Sequence, residues 1–191
     1  MCSVTVEEGC ESGTQVKAVE VMGRHRGGRF HMEREFGAVG RRLVLVDIEN
    51  YLGRRYVTCE ATRWVASQLD TLLGLRENEL VVVGTSHAQN LLAARAAWCH
   101  VRHVARLGQD GADLALLDVL TEDVDERFTE VVIVSGDGIF AAAIASLAGS
   151  NITTTVIARP EALSAQLRLA AQRVLCPTVQ FFGPVIDGVV A

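Results

Sequence analysis

Residues 43–50 read LVLVDIEN, four apolar residues without a break, then an aspartate, and they decide the fold. An amphipathic surface strand would alternate apolar with polar, whereas a strand covered on both faces reads as a continuous β-branched run. Similar runs follow at LVVVG (80–84), HVRHVA (100–105), EVVIVSG (130–136) and TTTVIA (153–158), with a weaker candidate in TVQFF (178–182). Between them lie Ala/Leu-rich stretches with apolar spacings of three and four, predicting helices over 55–73, 88–98, 113–120, 139–147 and 161–175. Strands alternating with helices specify βα units around a parallel sheet. The expected architecture is α/β, three-layer α/β/α and Rossmann-like. Upstream, residues 1–41 carry no sustained period and form an expected flexible or loosely docked extension, leaving 42–191 as the domain.

Composition narrows the chemistry. Of 191 residues, 49% are apolar, enough for one well-packed core, and Lys17 is the sole lysine. A lysine-dependent site inside the domain is thereby excluded, including the P-loop lysine and Schiff-base catalysis. The net charge of −5 conceals an asymmetry: residues 24–42 hold six arginines, Arg41 and Arg42 among them, against Glu33 and Glu35. Residues 43–191 hold 11 basic and 17 acidic residues. A basic arm on an acidic body can touch phosphates, or can simply be a solvated tail. Five widely spaced cysteines without a CxxC pair point to a reduced, cytoplasmic protein. His100 and His103 fall in a predicted strand, where residues three apart face opposite ways, so they make no metal pair. No apolar run is long enough to span a membrane. The apolar tail FFGPVIDGVVA has two destinations, the domain's own sheet or a partner subunit in a homodimer, and self-packing is the expectation.

In an open parallel sheet, ligands bind outside the carboxyl ends of the strands. Three aspartates fall there: Asp47 ends the first strand, Asp113 opens a helix in GQDGAD, and Asp137 follows the fourth strand in SGDG. Each taken singly reads equally well as a helix cap or an Asx turn. Three at one edge repel unless a cation sits among them or some stay protonated. Oxygen ligands without a Cys/His set favour Mg2+ or Mn2+, and an ion that keeps waters and binds substrate phosphates suits phosphodiester chemistry. Asn50 and Ser135 are placed as helpers to a metal-bound water or phosphate oxygen. In GTSHAQN (84–90), His87 and Asn90 face the predicted cleft and are candidate RNA contacts, as is Arg106 before GQDGAD. Each also has a plain reading as a cap or a solvated surface residue.

VDIEN, GADLALLDVL and VVIVSGDGIF, in this order and spacing, resemble the NYN domain family of the PIN-like nuclease superfamily over about residues 43–175. Arg-over-Lys and Ala usage is in keeping with a bacterial member. The resemblance implies a Rossmann-like fold and a metal-dependent ribonuclease, with Asp47, Asp113 and Asp137 as metal ligands and Asn50 as the polar residue beside the first aspartate. One position departs: the family usually reads SGDxDF, and here Ile139 replaces the second acid. Glu49 and Asp118 are the acids at hand to compensate. Asp118, five residues along a helix from Asp113, points about 140° away and suits a supporting task. A second reading therefore stands beside the nuclease, an NYN-fold RNA-binding or scaffold protein weakened in catalysis. A nucleotide-binding Rossmann domain ranks last, because DIENYLG stands where GxGxxG would be.

Overall fold

A computed structural model describes residues 18–20, 40–76 and 79–178. In chain order the elements are β1 (Ala18–Glu20), β2 (Arg42–Asp47), α1 (Ile48–Leu52), α2 (Cys59–Leu73), β3 (Leu80–Thr85), α3 (Ala88–Ala97), β4 (Arg102–Ala105) and α4 (Gly111–Leu120). They continue with α5 (Val124–Arg127), β5 (Glu130–Val134), a 3-10 turn (Gly138–Phe140), α6 (Ala141–Gly149), β6 (Thr153–Ile157), α7 (Ala165–Ala170) and β7 (Arg173–Pro177). The sheet order is β1-β7-β6-β5-β2-β3-β4. Its six longer strands are all parallel, and Ala18–Glu20 joins antiparallel along β7.

The unbroken apolar runs give every central strand two buried faces. Leu43 and Leu45 point with Val131, Ile133 and Val156 into one core, covered by Leu116 and Val119 of α4, Ile144 of α6 and Leu167 of α7. Val44 and Val46 point with Val81, Val83, Val132 and Val134 into the other, covered by Ile48 and Tyr51 of α1, Val65 and Leu69 of α2, and Ala94 of α3. The expected three-layer α/β/α arrangement is thus present. The chain runs outward from β2 through β3 to β4, then returns to lay β5 on the opposite side of β2. The carboxyl ends of β2 and β5 therefore flank the reversal of strand order, where a crevice opens by topology.

Some local expectations are corrected. The helix predicted over 55–73 begins at Cys59, because Thr58 is extended and its side chain accepts the Ala61 N–H (3.1 Å). Its predicted first turn is instead a loop after α1, whose end is marked by left-handed Gly53 at φ 65°. The helix predicted over 161–175 is limited to Ala165–Ala170, and the last described strand is RVLCP. Val174 and Cys176 alternate into one core while Leu175 packs against the other, so period-two burial overrides the apparent helical spacing. The strand expected in TVQFF lies, beyond Thr178, outside the described residues, as do the apolar tail and most of residues 1–41. His100 precedes β4 rather than lying in it, and the His103 ring nitrogen Nε2 is 2.9 Å from the Trp98 carbonyl oxygen. No described helix is long and apolar enough to cross a membrane.

Candidate active site

Asp47, Asp113 and Asp137 gather at the crevice between β2 and β5, each positioned by a different local device. Asp47 is the last residue of β2 and the N-cap of α1, with Oδ1 accepting the Asn50 N–H (3.0 Å). By alternation it shares the face of Leu43 and Leu45, the face on which α4 lies. Asp137 caps the 3-10 turn by accepting the Ile139 N–H (2.9 Å) through Oδ1, and its own N–H donates to Ser135 Oγ (3.2 Å). Asp113 sits in the first turn of α4.

Glycines set how closely these pieces approach. Gly84 pairs in register with Asp47, and a Cβ there would lie 2.6 Å from Leu116 Cγ and 3.1 Å from the Ala112 carbonyl oxygen. Without it α4 settles onto β3, and Asp113 reaches Asp47. Gly111 is equally constrained, since a Cβ would fall 1.8 Å from the Arg106 carbonyl oxygen.

The electrostatics are those of crowded acids. Asp47 is 3% exposed and Asp113 7% exposed, and the two carboxyls hydrogen-bond each other. Burial, then the hydrogen bond and charge of Asp113, raise the Asp47 pKa well above the usual carboxylate value. Burial raises Asp113 as well, opposed by the Asp47 hydrogen bond and reinforced by the charges of Asp137 and Asp110. Both carboxyls are thus held above the usual range, first of all by burial. Asp113 Oδ1 is buried and receives no hydrogen bond from any N–H or O–H group of the protein. Two buried acids with an acceptor oxygen lacking such a donor meet that need only through a shared proton or a cation. Among the described residues, no group of three or more His, Cys, Asp or Glu side chains is close enough to enclose a metal ion. The constellation is thus a carboxyl pair with Asp137 adding negative charge, and one or two protein carboxylates are what Mg2+ commonly takes.

The supporting residues sort by what they touch. Asn50 Oδ1 accepts the Gly136 N–H (3.0 Å), stitching the motif after β2 to the motif after β5. Ser135 is fully buried and holds the backbone of Asp137. Glu49 is spent on the neighbouring loop: Oε1 accepts the Ser86 N–H (2.8 Å) and Asn90 Nδ2 (2.6 Å), and Oε2 accepts the Ser86 hydroxyl. Asp118 is exposed on the far side of α4, beside Arg102 and Arg106, and does not join the cluster. Ile139 is half-buried and packs on the Leu43 core, so its side chain serves packing.

The candidate RNA contacts divide likewise. His87 stands at the crevice rim and Arg106 is exposed at the carboxyl end of β4. Asn90, in contrast, is fully buried, with Oδ1 accepting the Val57 N–H (3.0 Å) and Nδ2 donating to the Arg55 carbonyl (2.8 Å) and Glu49. Its amide is used up within the protein, which corrects its reading as a ligand contact. Arg42 is corrected too: it opens β2, binds the Leu73 carbonyl (2.9 Å) and Glu79 (2.6 Å), and lies about 17 Å of strand away from Asp47. Arg41 sits at that same amino edge with its guanidinium 5.2 Å from the Phe128 ring centre. The alternation of side chains predicted faces, but the end of the strand on which a charge falls follows from chain direction.

Arg159 escaped the sequence reading. It follows β6, donates to the Asn50 carbonyl through Nε (3.3 Å) and Nη2 (3.2 Å) and pairs with Glu161 (2.5 Å), bringing a cation to the crevice. Tyr56 and Arg55 were hidden inside the predicted helix, although a Gly53 stop and a Thr58 cap in GRRYVT signal the loop.

The NYN domain family model matches residues 41–177, spanning β2 to β7 and all three aspartates. A crystal structure of a Vibrio parahaemolyticus protein of unknown function is similar, with a TM-score of 0.47 at 20% identity, covering 71% of this chain and 91% of that one. No curated protein matches the chain.

Proposed function

The chain belongs to the NYN domain family, generally one of ribonucleases, and from that premise we propose that it hydrolyses RNA phosphodiester bonds at the Asp47, Asp113 and Asp137 cluster with Mg2+ or Mn2+. The observation that carries the reading is the buried carboxyl pair with Asp113 Oδ1 lacking an N–H or O–H donor. Asp47 and Asp113 would hold the ion, and Asp137 would balance its charge across the crevice. Once bound, such an ion polarises the phosphoryl group and lowers the pKa of an attacking water.

The rest of the work belongs to the chain. Asn50 and Ser135 keep the two strand-end motifs in register, so that Asp137 faces the pair. Arg106 supplies donors for phosphate oxygens, a task left to arginine and backbone amides in a domain without lysine. The thiols of Cys59, Cys99 and Cys176 are unbridged, in keeping with a cytoplasmic setting.

Calorimetric titration with Mg2+ and Mn2+, followed by cleavage of an end-labelled RNA pool, tests the reading. Wild-type cleavage that disappears in Asp47→Asn and Asp137→Asn supports it, and equal cleavage in all three would sink the residue assignment. Ile139, packed into the core where the family usually has an acid, favours a second reading as an RNA-binding protein weak in turnover. That reading wins where RNA is bound but no divalent ion elicits cleavage.

A further inference from the structure

At the same carboxyl edge of the sheet lies a small exposed cluster that the cleavage chemistry does not require. Tyr56 is 41% exposed, although large aromatics on a surface usually turn inward. The His87 ring meets it edge-on with centroids 5.9 Å apart, and the Arg55 guanidinium lies 5.7 Å from the Tyr56 ring centre. Arg55 Nε donates to His87 Nε2 (3.4 Å), which puts the ring proton on Nδ1, 2.7 Å from Ser86 Oγ. The Ser86 hydroxyl in turn donates to Glu49.

What distinguishes this cluster from a chance surface grouping is how it is held. The carbonyl before Tyr56 and the N–H after it, those of Arg55 and Val57, are both bound by the fully buried amide of Asn90. The same amide reaches Glu49, two residues from Asp47. A buried, fully engaged Asn is an expensive fixture, and here it immobilises the backbone on both sides of an exposed ring. A ring held out to solvent with a cation beside it is preorganised to stack a flat π-system carrying a negative group, as in a nucleotide.

We propose that Tyr56, flanked by Arg55 and His87, is a base-stacking subsite that takes one unpaired nucleobase of the RNA, with Arg55 facing that nucleotide's phosphate. The inference rests on the ribonuclease reading for the identity of the ligand. It adds a specificity: the substrate presents a nucleotide outside a duplex, because a paired and stacked base offers no free face. Tyr56 is a binding residue in this scheme, separate from the acids.

The test measures anisotropy of a fluorescein-labelled single-stranded 10-mer RNA with the full chain in EDTA, then cleavage kinetics in Mg2+. Tyr56→Ala is expected to weaken binding by about 5- to 150-fold, while Tyr56→Phe and Tyr56→Trp bind as wild type does. In a series of 10-mers with one abasic nucleotide moved along the strand, one position should weaken wild-type binding by the same factor and leave Tyr56→Ala indifferent. In cleavage, the loss should appear in KM with kcat retained. Unchanged binding by Tyr56→Ala, a flat abasic series, or Tyr56→Phe as weak as Tyr56→Ala overturns the subsite. A wild type that cleaves RNA with Tyr56→Ala unaffected overturns the subsite and leaves the nuclease reading standing. Binding that depends on Tyr56 without cleavage under any divalent ion does the reverse, and a wild type that neither binds nor cleaves overturns both.

Discussion

At the scale of single residues, the function and the stability of this domain pull against each other at Asp47. Its pKa is raised by burial and by Asp113, so the folded protein binds a proton more tightly there than the unfolded chain does. For a raised carboxyl, the stabilising contribution is complete below the unfolded value and is lost as pH rises through the folded one. Metal-free protein is therefore expected to melt at a higher temperature under mildly acidic conditions than at neutral pH, and Mg2+ should reverse part of that trend. Asp47→Asn removes one of the two crowded carboxyls while keeping an equally good N-cap for α1. At neutral pH without metal the variant should melt above wild type by differential scanning calorimetry. Its cleavage should fall by more than the roughly 10- to 100-fold typical of lost supporting partners. A variant that melts below wild type at neutral pH would show that the pair is not repulsive.

At the scale of elements, the site depends on how closely α4 can lie on β3. Gly84→Ala drives a methyl into Leu116 Cγ at 2.6 Å, and the helix must lift. The expected cost is about 1–3 kcal/mol in denaturant unfolding, with metal affinity lowered because Asp113 rides on that helix. Asn90→Ala should also cost about 1–3 kcal/mol, since it leaves the Val57 N–H and the Arg55 carbonyl without their partner. Its further signature is faster amide exchange at residues 55–57. The central strands were legible because doubly buried strands leave an unmistakable apolar run, as in LVLV. RVLCP was not, because alternation over five residues is easily lost beside an Ala/Leu-rich helix. The loop carrying Tyr56 was missed for a related reason: apolar spacing was extended past a Gly stop and a Thr cap.

For the whole molecule, the return of the chain from β4 to β5 across β2 creates the crevice, and the charge distribution decides what can approach it. The body is rich in acids, so under the proposed function the arginines of residues 24–41 carry much of the long-range attraction for RNA. Removal of residues 1–39 keeps the Arg41 carbonyl, which accepts the Thr129 N–H (2.9 Å), and all six parallel strands. It deletes Ala18–Glu20 from the edge of β7, so a modest loss of stability is expected with the fold intact. RNA affinity should fall, and the logarithmic salt dependence should flatten by ~0.7 for each phosphate that the arm no longer neutralises. Binding measured from low to high salt checks this, and an unchanged slope would assign the attraction to the domain itself.

By itself the sequence determined the α/β class, the order of the central strands along the chain, and the three aspartates with their shared edge. These follow from local rules: apolar runs mark buried strands, and strand ends of a parallel sheet meet on one side. Tertiary structure alone decided that Asp47 pairs with Asp113, that Glu49 and Asn90 serve the scaffold, and that Tyr56 is held in the open. Those outcomes hang on distances between residues far apart in sequence, set by the approach of α4 to β3 and by one amide reaching across 35 residues from Asn90 to Arg55. A local pattern carries no record of such distances, because they belong to the packing of the elements.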